Sequence, residues 1–132
     1  MIPRLNGIDH VHVYVRNWQD AETWYARVLG FRRLEKFMSW AVKNGPLTLE
    51  DVSGTVHLAL FEREDSPGHS TIAFNAGGAE FLAWKKHLEE QGLELRTTDH
   101  RLAWSLYFSD PDNNLHEITS YDHDYIRGEL GQ

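Results

Sequence analysis

The chain contains no cysteine, which excludes disulfides, thiolate metal ligands and a cysteine nucleophile. Basic residues are also scarce, since 13 Lys and Arg stand against 20 Asp and Glu and give a net charge of −7. This balance argues against a nucleic-acid partner, because phosphate contacts need clustered cations. The sequence has neither an apolar run near the roughly 18 residues of a membrane span nor a basic start followed by an apolar leader. We therefore expect a cytoplasmic protein with no nucleic-acid or membrane partner.

The chain is rich enough in apolar residues to build one ordinary core. Its 132 residues are 41% hydrophobic and 12% aromatic, which predicts a single domain over residues 1–132. The acidic excess is typical of a surface that keeps a protein in solution.

Two halves of the chain repeat the same plan. The first half opens at residues 8–15 and reaches Gly30 after a helical stretch, and the second opens at residues 70–74 and reaches Gly92. His10 and Gly30 are 20 residues apart, and Thr71 and Gly92 are 21 apart. We expect one strand-helix-strand unit to fold twice, with room for further strands after each. A histidine that opens one half and a glutamate near the end of the other suggest a metal pocket between curved sheets.

The first half begins with strict alternation. Valines at 11, 13 and 15 share one face, whereas His10, His12 and Tyr14 share the other, which is typical of a strand with one packed and one polar side. Asn17 is a plausible helix N-cap and Gly30 the expected stop of that helix. Further strands are predicted at 31–35, 47–50 and 56–61.

A polar, turn-forming linker at residues 64–68 precedes the second half. The pattern then predicts a strand at 69–75, a helix at 79–90, strands at 94–98, 104–109 and 115–120, and a short helix in the tail at 122–130. Residues 112–114 should form a tight turn, because Asn tolerates positive φ. The helix-facing side should bury these residues: Val11, Val13, Val15, Leu58, Leu60, Ile72, Phe74 and Ile118.

The order βαβββ, twice, resembles the vicinal-oxygen-chelate superfamily of glyoxalases, extradiol dioxygenases, fosfomycin-resistance enzymes and bleomycin-binding proteins. The resemblance covers residues 5–121 and rests on four phrases: residues 8–11, residues 24–31, residues 72–74 and residues 107–117. It implies an α+β fold in which two tandem βαβββ modules form a curved mixed-sheet cavity with the helices outside. The modules would span about 5–63 and about 69–121, followed by a tail at 122–132.

The resemblance also implies a metal site with ligands on the first and last strands of each half. His10 matches the first-strand ligand, Glu117 matches the last-strand carboxylate, and His57 falls near the remaining position of the first half. Two imidazoles and one carboxylate suit Fe, Mn, Zn or Ni as divalent ions and leave room for a substrate with adjacent oxygens. The chain departs from the superfamily at Thr71, where a histidine is usual, although His69 lies two residues earlier on the same face.

Further polar groups should surround this site. His12 and Tyr107 are the expected acid-base residues. Because alternate positions of a strand lie roughly 6–7 Å apart, we expect His12 beside the metal and not bound to it. The substrate pocket is predicted to contain Tyr14, Phe61, His69, Thr71, Ser105 and Tyr121, with Trp40 as a further apolar wall. His116 should face the helices and be structural.

Three functions fit these residues. The first is a small metal-dependent lyase, dioxygenase or transferase of the glyoxalase and dioxygenase type. The second is a metal-free small-molecule or drug-binding protein of the bleomycin-resistance type, which Thr71 favours. The third is a fosfomycin-resistance-like transferase, which Ser105 and Tyr107 favour. In each case the partner is a small molecule, and the superfamily implies a homodimer.

Overall fold

Two four-stranded sheets carry the fold in the computed structural model, which describes residues 2, 4, 6–65 and 71–132. The chain divides into two compact units, Met1–Gly68 and His69–Gln132, and each contains one sheet. Within the described ranges, no helix is long and apolar enough to cross a membrane. The predicted linker and the start of the predicted strand at 69–75 lie partly outside the described residues, since 66–70 are not among them.

The first unit has the predicted βαβββ order with one inserted 3₁₀ helix. Its elements are β1 (Val11–Val15), α1 (Trp18–Leu29), β2 (Arg32–Arg33), a 3₁₀ helix (Glu35–Trp40), β3 (Pro46–Glu50) and β4 (His57–Glu62). The sheet order is β1-β4-β3-β2, with β1 parallel to β4 and the other pairs antiparallel.

The second unit repeats that topology. Its elements are β5 (Thr71–Asn75), α2 (Gly78–Glu90), β6 (Arg96–Asp99), β7 (Trp104–Ser109), β8 (Leu115–Ser120) and α3 (His123–Glu129). The sheet order is β5-β8-β7-β6, again with a parallel first pair and antiparallel others. The predicted α+β class with two tandem βαβββ modules is confirmed.

Local signals in the sequence account for the ends of the elements. The Asn17 side chain accepts a hydrogen bond from the Asp20 amide at 2.9 Å, and Gly30 ends α1 in the left-handed conformation with φ of 75°. Asn113 also adopts positive φ, as expected for the tight turn before β8. The helix predicted in the tail is present as α3.

The prediction of a strand at 31–35 is wrong beyond two residues. Arg32 and Arg33 pair with β3, and the Leu34 amide still donates to the Thr48 carbonyl of β3 at 2.9 Å. The chain then enters the 3₁₀ helix, where the Phe37 amide donates to the Leu34 carbonyl at 3.0 Å. The segment 35–40 has no period-two alternation that would hold it in a sheet. This turn of helix matters below, because it carries two aromatic residues into a pocket.

Burial follows the predicted face with three exceptions. Val13, Val15, Leu58, Leu60 and Ile118 are all buried, but Val11, Ile72 and Phe74 are only half-buried, so that part of the prediction is wrong. The exceptions lie on β1 and β5, which are edge strands of their own sheets and have a neighbouring strand on one side only.

The N-terminus of α2 is capped by a residue from the far end of the unit. Gly77, the N-cap, has no capping side chain, and the Gly78 amide donates instead to Asp122 Oδ2 at 2.6 Å. A β-carbon on Gly78 would stand 2.6 Å from Tyr125 Cδ2 and 2.9 Å from Asp122 Cβ. Glycine at this position therefore lets α3 pack directly against the start of α2.

Replacement of Gly78 by alanine should lower the free energy of unfolding by about 1–3 kcal/mol, because α3 must move away from α2. Gly128→Ala is the matched control, since no atom lies within 4 Å of the position that a β-carbon would take there and alanine favours a helix. Chemical denaturation of both variants measures the difference. Equal stability of the two would contradict the packing described for Gly78.

His116 is fully buried between two aromatic rings. Its ring centroid lies 5.9 Å from that of Phe74 and 5.6 Å from that of Phe108. Burial in this apolar setting lowers the pKa of His116 from 6.5 to about 4, although the nearby Asp110 carboxylate opposes the shift. As predicted, this side chain belongs to the core and faces away from its neighbour Glu117.

The low pKa of His116 makes stability depend on pH. The unfolded chain binds a proton near pH 6.5 and the folded protein only near pH 4, so the free energy of unfolding should fall as the pH drops between these values. The total loss from this residue is about 3 kcal/mol. Denaturation of wild type and His116→Gln from pH 7 to 4 isolates this contribution, and parallel curves for the two proteins would contradict it.

Candidate functional site

The polar face of the first sheet is built by three strands in register. His12 pairs with Ala59 and Tyr14 with Phe61 between β1 and β4, and His57 pairs with Glu50 between β4 and β3. Side chains of paired residues point to the same side of a sheet. The valines and leucines of β1 and β4 lie on the opposite side, so this face is left for polar and aromatic groups.

A pocket of about 270 Å³ lies over this face of the first unit. It is lined by histidines, aromatic residues and a few smaller groups: Asp9, His10, Leu34, Lys36, Phe37, Trp40, Pro46, Thr48, His57 and Ala59. Phe37 and Trp40 stack with ring centroids 4.4 Å apart and planes 9° apart, and Trp40 is half exposed. The pocket thus combines two imidazoles with an aromatic wall.

Each ring nitrogen of His10 has a hydrogen-bond partner. Its Nδ1 lies 2.7 Å from Asp9 Oδ2, and its Nε2 lies 3.1 Å from His12 Nε2. A carboxylate only accepts hydrogen bonds, so His10 Nδ1 carries the proton and donates to Asp9. His12 also packs against Phe61, with centroids 4.7 Å apart. The two imidazoles thus meet at their Nε2 atoms, and His10 lies one residue before the start of β1.

His57 is oriented by the strand beside it. Its Nε2 lies 2.8 Å from Glu50 Oε2 across the β3-β4 pair, and both side chains are about one-quarter to one-third exposed (26% and 32%). His57 therefore donates from Nε2 to Glu50 in its neutral form, which leaves Nδ1 with a lone pair. His10 and His57 thus line one pocket, and each is hydrogen-bonded to a carboxylate.

The polar face of the second sheet centres on Glu117. The buried Ser105 hydroxyl lies 2.7 Å from Glu117 Oε2 and 3.2 Å from the Thr119 hydroxyl. Cross-strand pairing places Tyr107 opposite Glu117 on β7, and Ala73 opposite it on β5. The carboxylate is therefore half-buried and fixed by a hydroxyl donor, with a tyrosine on the adjacent strand.

Tyr107 contacts a histidine through its hydroxyl and an arginine through its ring. The hydroxyl lies 2.9 Å from His100 Nε2, and the Arg96 guanidinium lies 4.3 Å from the ring centroid. Arg96 and Tyr107 also help to line a pocket of about 380 Å³. A tyrosine and a histidine in contact can exchange a proton with each other or with a bound molecule.

The remaining predicted pocket residues differ in their exposure. Thr71 is exposed on the same face as Glu117, and Tyr121 lies beyond the end of β8 and is 71% exposed. His69 lies outside the described residues. Within either unit, the described side chains bring no three His, Asp or Glu residues together in a way that could hold a metal ion.

Sequence reasoning missed four residues that orient the predicted ones: Asp9, Glu50, Arg96 and His100. Cross-strand register could have identified Glu50 and Arg96, since they pair with His57 and Tyr107. Asp9 and His100 lie just outside strands, where no periodicity predicts the direction of a side chain.

The comparison with known families matches residues 7–118 to the Glyoxalase/Bleomycin resistance protein/Dioxygenase superfamily. The chain belongs to this superfamily. The resemblance inferred from the repeated βαβββ pattern is thereby confirmed.

Solved structures of other proteins share the superfamily fold. An integron cassette protein from the mobile metagenome of a Halifax Harbour sewage outfall aligns with a TM-score of 0.75 at 24% identity, over 88% of this chain and 99% of that one. A glyoxylase/bleomycin resistance protein/dioxygenase domain from Frankia sp. EAN1pec has a TM-score of 0.72 at 20% identity, over 92% and 99%. The fosfomycin resistance protein FosX from Listeria monocytogenes, complexed with Mn(II) and sulfate, has a TM-score of 0.67 at 14% identity, over 96% and 99%. At these identities the likeness concerns the fold.

Glu117 should contribute little to folding. Glu117→Gln keeps an oxygen that accepts from Ser105, so the free energy of unfolding of the metal-free protein should change by less than about 1 kcal/mol. Ser105→Ala, the comparison variant, removes the donor from a half-buried carboxylate and should cost about 1–3 kcal/mol. Urea denaturation measures both, and a larger loss for Glu117→Gln than for Ser105→Ala would contradict this ranking.

Proposed function

We propose that the protein is a small metal-dependent enzyme of the glyoxalase and dioxygenase type, with a divalent Fe, Mn, Zn or Ni ion held by His10, His57 and Glu117. One observation carries the proposal: His10 and His57 line the same pocket, and each gives one ring N–H to a carboxylate. A carboxylate partner of this kind is usual for a ligating histidine, because it fixes the tautomer and raises the basicity of the other nitrogen. The donor set therefore fits a metal ion of this class.

The setting of Glu117 supports the same proposal. The carboxylate is half-buried and receives one hydroxyl hydrogen bond from Ser105, so further compensation of its charge is favourable. A cation supplies that compensation. FosX, which shares the fold, has been solved with Mn(II).

A bound ion would accept two adjacent oxygens of a substrate and stabilise an enolate or oxyanion formed from it. The chain supplies the remaining functions. Tyr107, with its hydroxyl against His100, holds a proton that can move to or from the substrate. The stacked Phe37 and Trp40 exclude water from one side of the pocket and offer contact to an apolar or planar part of the substrate. Tyr14 and Phe61 extend the aromatic surface along β1 and β4.

The pocket volume limits the substrate to a small molecule. About 270 Å³ lies just below the range of roughly 300–1,000 Å³ that is usual for small-molecule sites. The superfamily resemblance supports a homodimer. The absence of cysteine is compatible with a cytoplasmic location. Sedimentation equilibrium of the full chain tests the dimer.

Metal titration tests the proposed function. Wild-type protein prepared without chelator should contain close to one ion per chain, and His10→Ala, His57→Ala and Glu117→Gln should each weaken Mn(II) or Zn(II) binding by at least about 10-fold. His87→Ala, on α2, should bind as wild type does. Calorimetry of the four variants measures these affinities. Unchanged affinity in both His10→Ala and Glu117→Gln would rule out the site.

A metal-free small-molecule binding protein is the second candidate, favoured by the exposed Thr71 at a position where the superfamily commonly has a histidine. Thermal-shift screening separates it from the first. Stabilisation by an organic ligand that persists in chelator, with no turnover, would favour this candidate.

A fosfomycin-resistance-like transferase is the third candidate. Tyr107 faces the polar side of the second sheet, but the Ser105 hydroxyl is bonded to Glu117, which leaves one of the two predicted contacts for substrate. Stabilisation by fosfomycin that requires Mn(II) would favour this candidate, and no shift up to millimolar fosfomycin would exclude it.

A further inference from the structure

We infer that the pocket of the first unit binds a small planar carboxylate, whose charged group is held by the Thr48 hydroxyl and the Lys36 ammonium. The inference rests on the proposed function, because it names a substrate class for the pocket that His10 and His57 line. Thr48 lies on β3 and Lys36 on the 3₁₀ helix, and both are part of the pocket wall.

Thr48 places a hydroxyl in the pocket that no protein group uses. The residue is only 7% exposed, and it pairs with Ala59 between β3 and β4, so its side chain lies on the polar face of the sheet. Within the part of the chain that the structure describes, its hydroxyl makes no hydrogen bond. A hydroxyl at this depth reaches water only through the pocket, and a ligand that displaces this water must accept its hydrogen bond.

Lys36 brings a positive charge to the same pocket. Its Nζ lies 5.0 Å from the centroid of the Phe37 ring, and this cation–π contact keeps the ammonium at the pocket wall. Among the described residues, no carboxylate forms an ion pair with Lys36, since the Asp9 carboxylate in the pocket lining accepts from His10 Nδ1 at 2.7 Å. The ammonium is therefore available to an anionic ligand.

Trp40 gives the ligand a flat surface beside these two donors. Its ring stacks on Phe37 with the planes 9° apart, and the residue is half exposed, so part of the indole can contact a bound molecule. Ala59 adds little bulk to the pocket lining. The cavity of about 270 Å³ suits a single ring better than an extended molecule. A planar unsaturated or aromatic acid matches both the flat wall and the two donors.

The histidines of the pocket do not compete for this role. His10 and His57 each give one ring N–H to a carboxylate of the protein, so those nitrogens are not donors for a ligand. A divalent ion at the proposed site would strengthen the attraction for an anion.

Titrations of benzoate, benzamide and acetate into metal-stripped, ¹⁵N-labelled full-length protein test the inference. Benzamide keeps the ring without the charge, and acetate keeps the charge without the ring. Benzoate should shift the Trp40 indole N–H signal, which Trp40→Phe identifies. Its affinity should be at least about 10-fold higher than that of either comparison compound.

Two variants test the donors one at a time. Lys36→Gln should weaken benzoate binding about 5-fold and Thr48→Val about 10-fold, because each loses one hydrogen bond to the carboxylate. Thr48→Ser keeps the hydroxyl and should bind within about threefold of wild type. Lys43→Gln removes a charge close to the 3₁₀ helix but outside the pocket lining, and should bind within about twofold.

The melting temperature separates loss of the hydroxyl from loss of the fold. Thr48→Val replaces an unpartnered hydroxyl with an apolar group of the same shape, so the metal-free variant should melt at the wild-type temperature or above. A residue with only a structural role would not combine weaker benzoate binding with unchanged or higher stability.

The inference is wrong if benzoate leaves the Trp40 signal unshifted, if either comparison compound binds as tightly, or if either Lys36→Gln or Thr48→Val keeps wild-type affinity. These results do not depend on metal. If one of them occurs while Mn(II) still binds through His10, the substrate class is wrong and the proposed function stands. If benzoate binds as expected and no ion does, the proposed function is wrong and the carboxylate pocket stands.

Discussion

The parallel pairing of the first and last strands in each unit is the constraint on which the site depends. In β1-β4 and in β5-β8, residues in register share a face, and side chains alternate between the helix side and the polar side. A slip of one residue in either pair would move every apolar side chain out of the core. The leucines of β4 and the isoleucine of β8 therefore fix, through their burial, where His57 and Glu117 lie.

In the second unit, a core residue and a proposed site residue are neighbours in the sequence. His116 is buried against aromatic rings, and the adjacent Glu117 lies on the polar face. The turn before β8 sets this register, because Asp110 Oδ1 accepts from the amides of Asp112 and Asn114 at 2.8 Å each, and Asp110 Oδ2 accepts from the Asn114 side chain at 2.9 Å. A structural turn thus determines the direction of the proposed metal ligand.

Regular periodicity made most of the fold predictable. Alternation over 11–15 and 115–120, together with Asn17 and Gly30 at the ends of α1, predicted the strands, the helix and the polar faces. The 3₁₀ helix at 35–40 could not be predicted in this way, since its residues have no alternation and its hydrogen bonds are local. Half-burial of Phe74 also escaped prediction, because alternation assigns a residue to a face and does not give the depth of its burial.

The hydrogen bonds around the proposed site residues could not be predicted from the sequence. His10, His57 and Glu117 follow from motif position, whereas the hydrogen bonds to Asp9, Glu50 and Ser105 depend on register and on the chain direction outside strands. The contact between the His10 and His12 rings likewise depends on side-chain conformations that alternation does not predict.

The central proposal is that the protein binds one divalent ion through His10. A crystal of the full chain grown with Zn(II), with diffraction data collected on both sides of the zinc absorption edge, tests it most directly. The account predicts one anomalous peak per chain, about 2.1 Å from His10 Nε2. A peak that contacts neither His10 nor Glu117, or no peak in protein shown to be free of chelator, would contradict it.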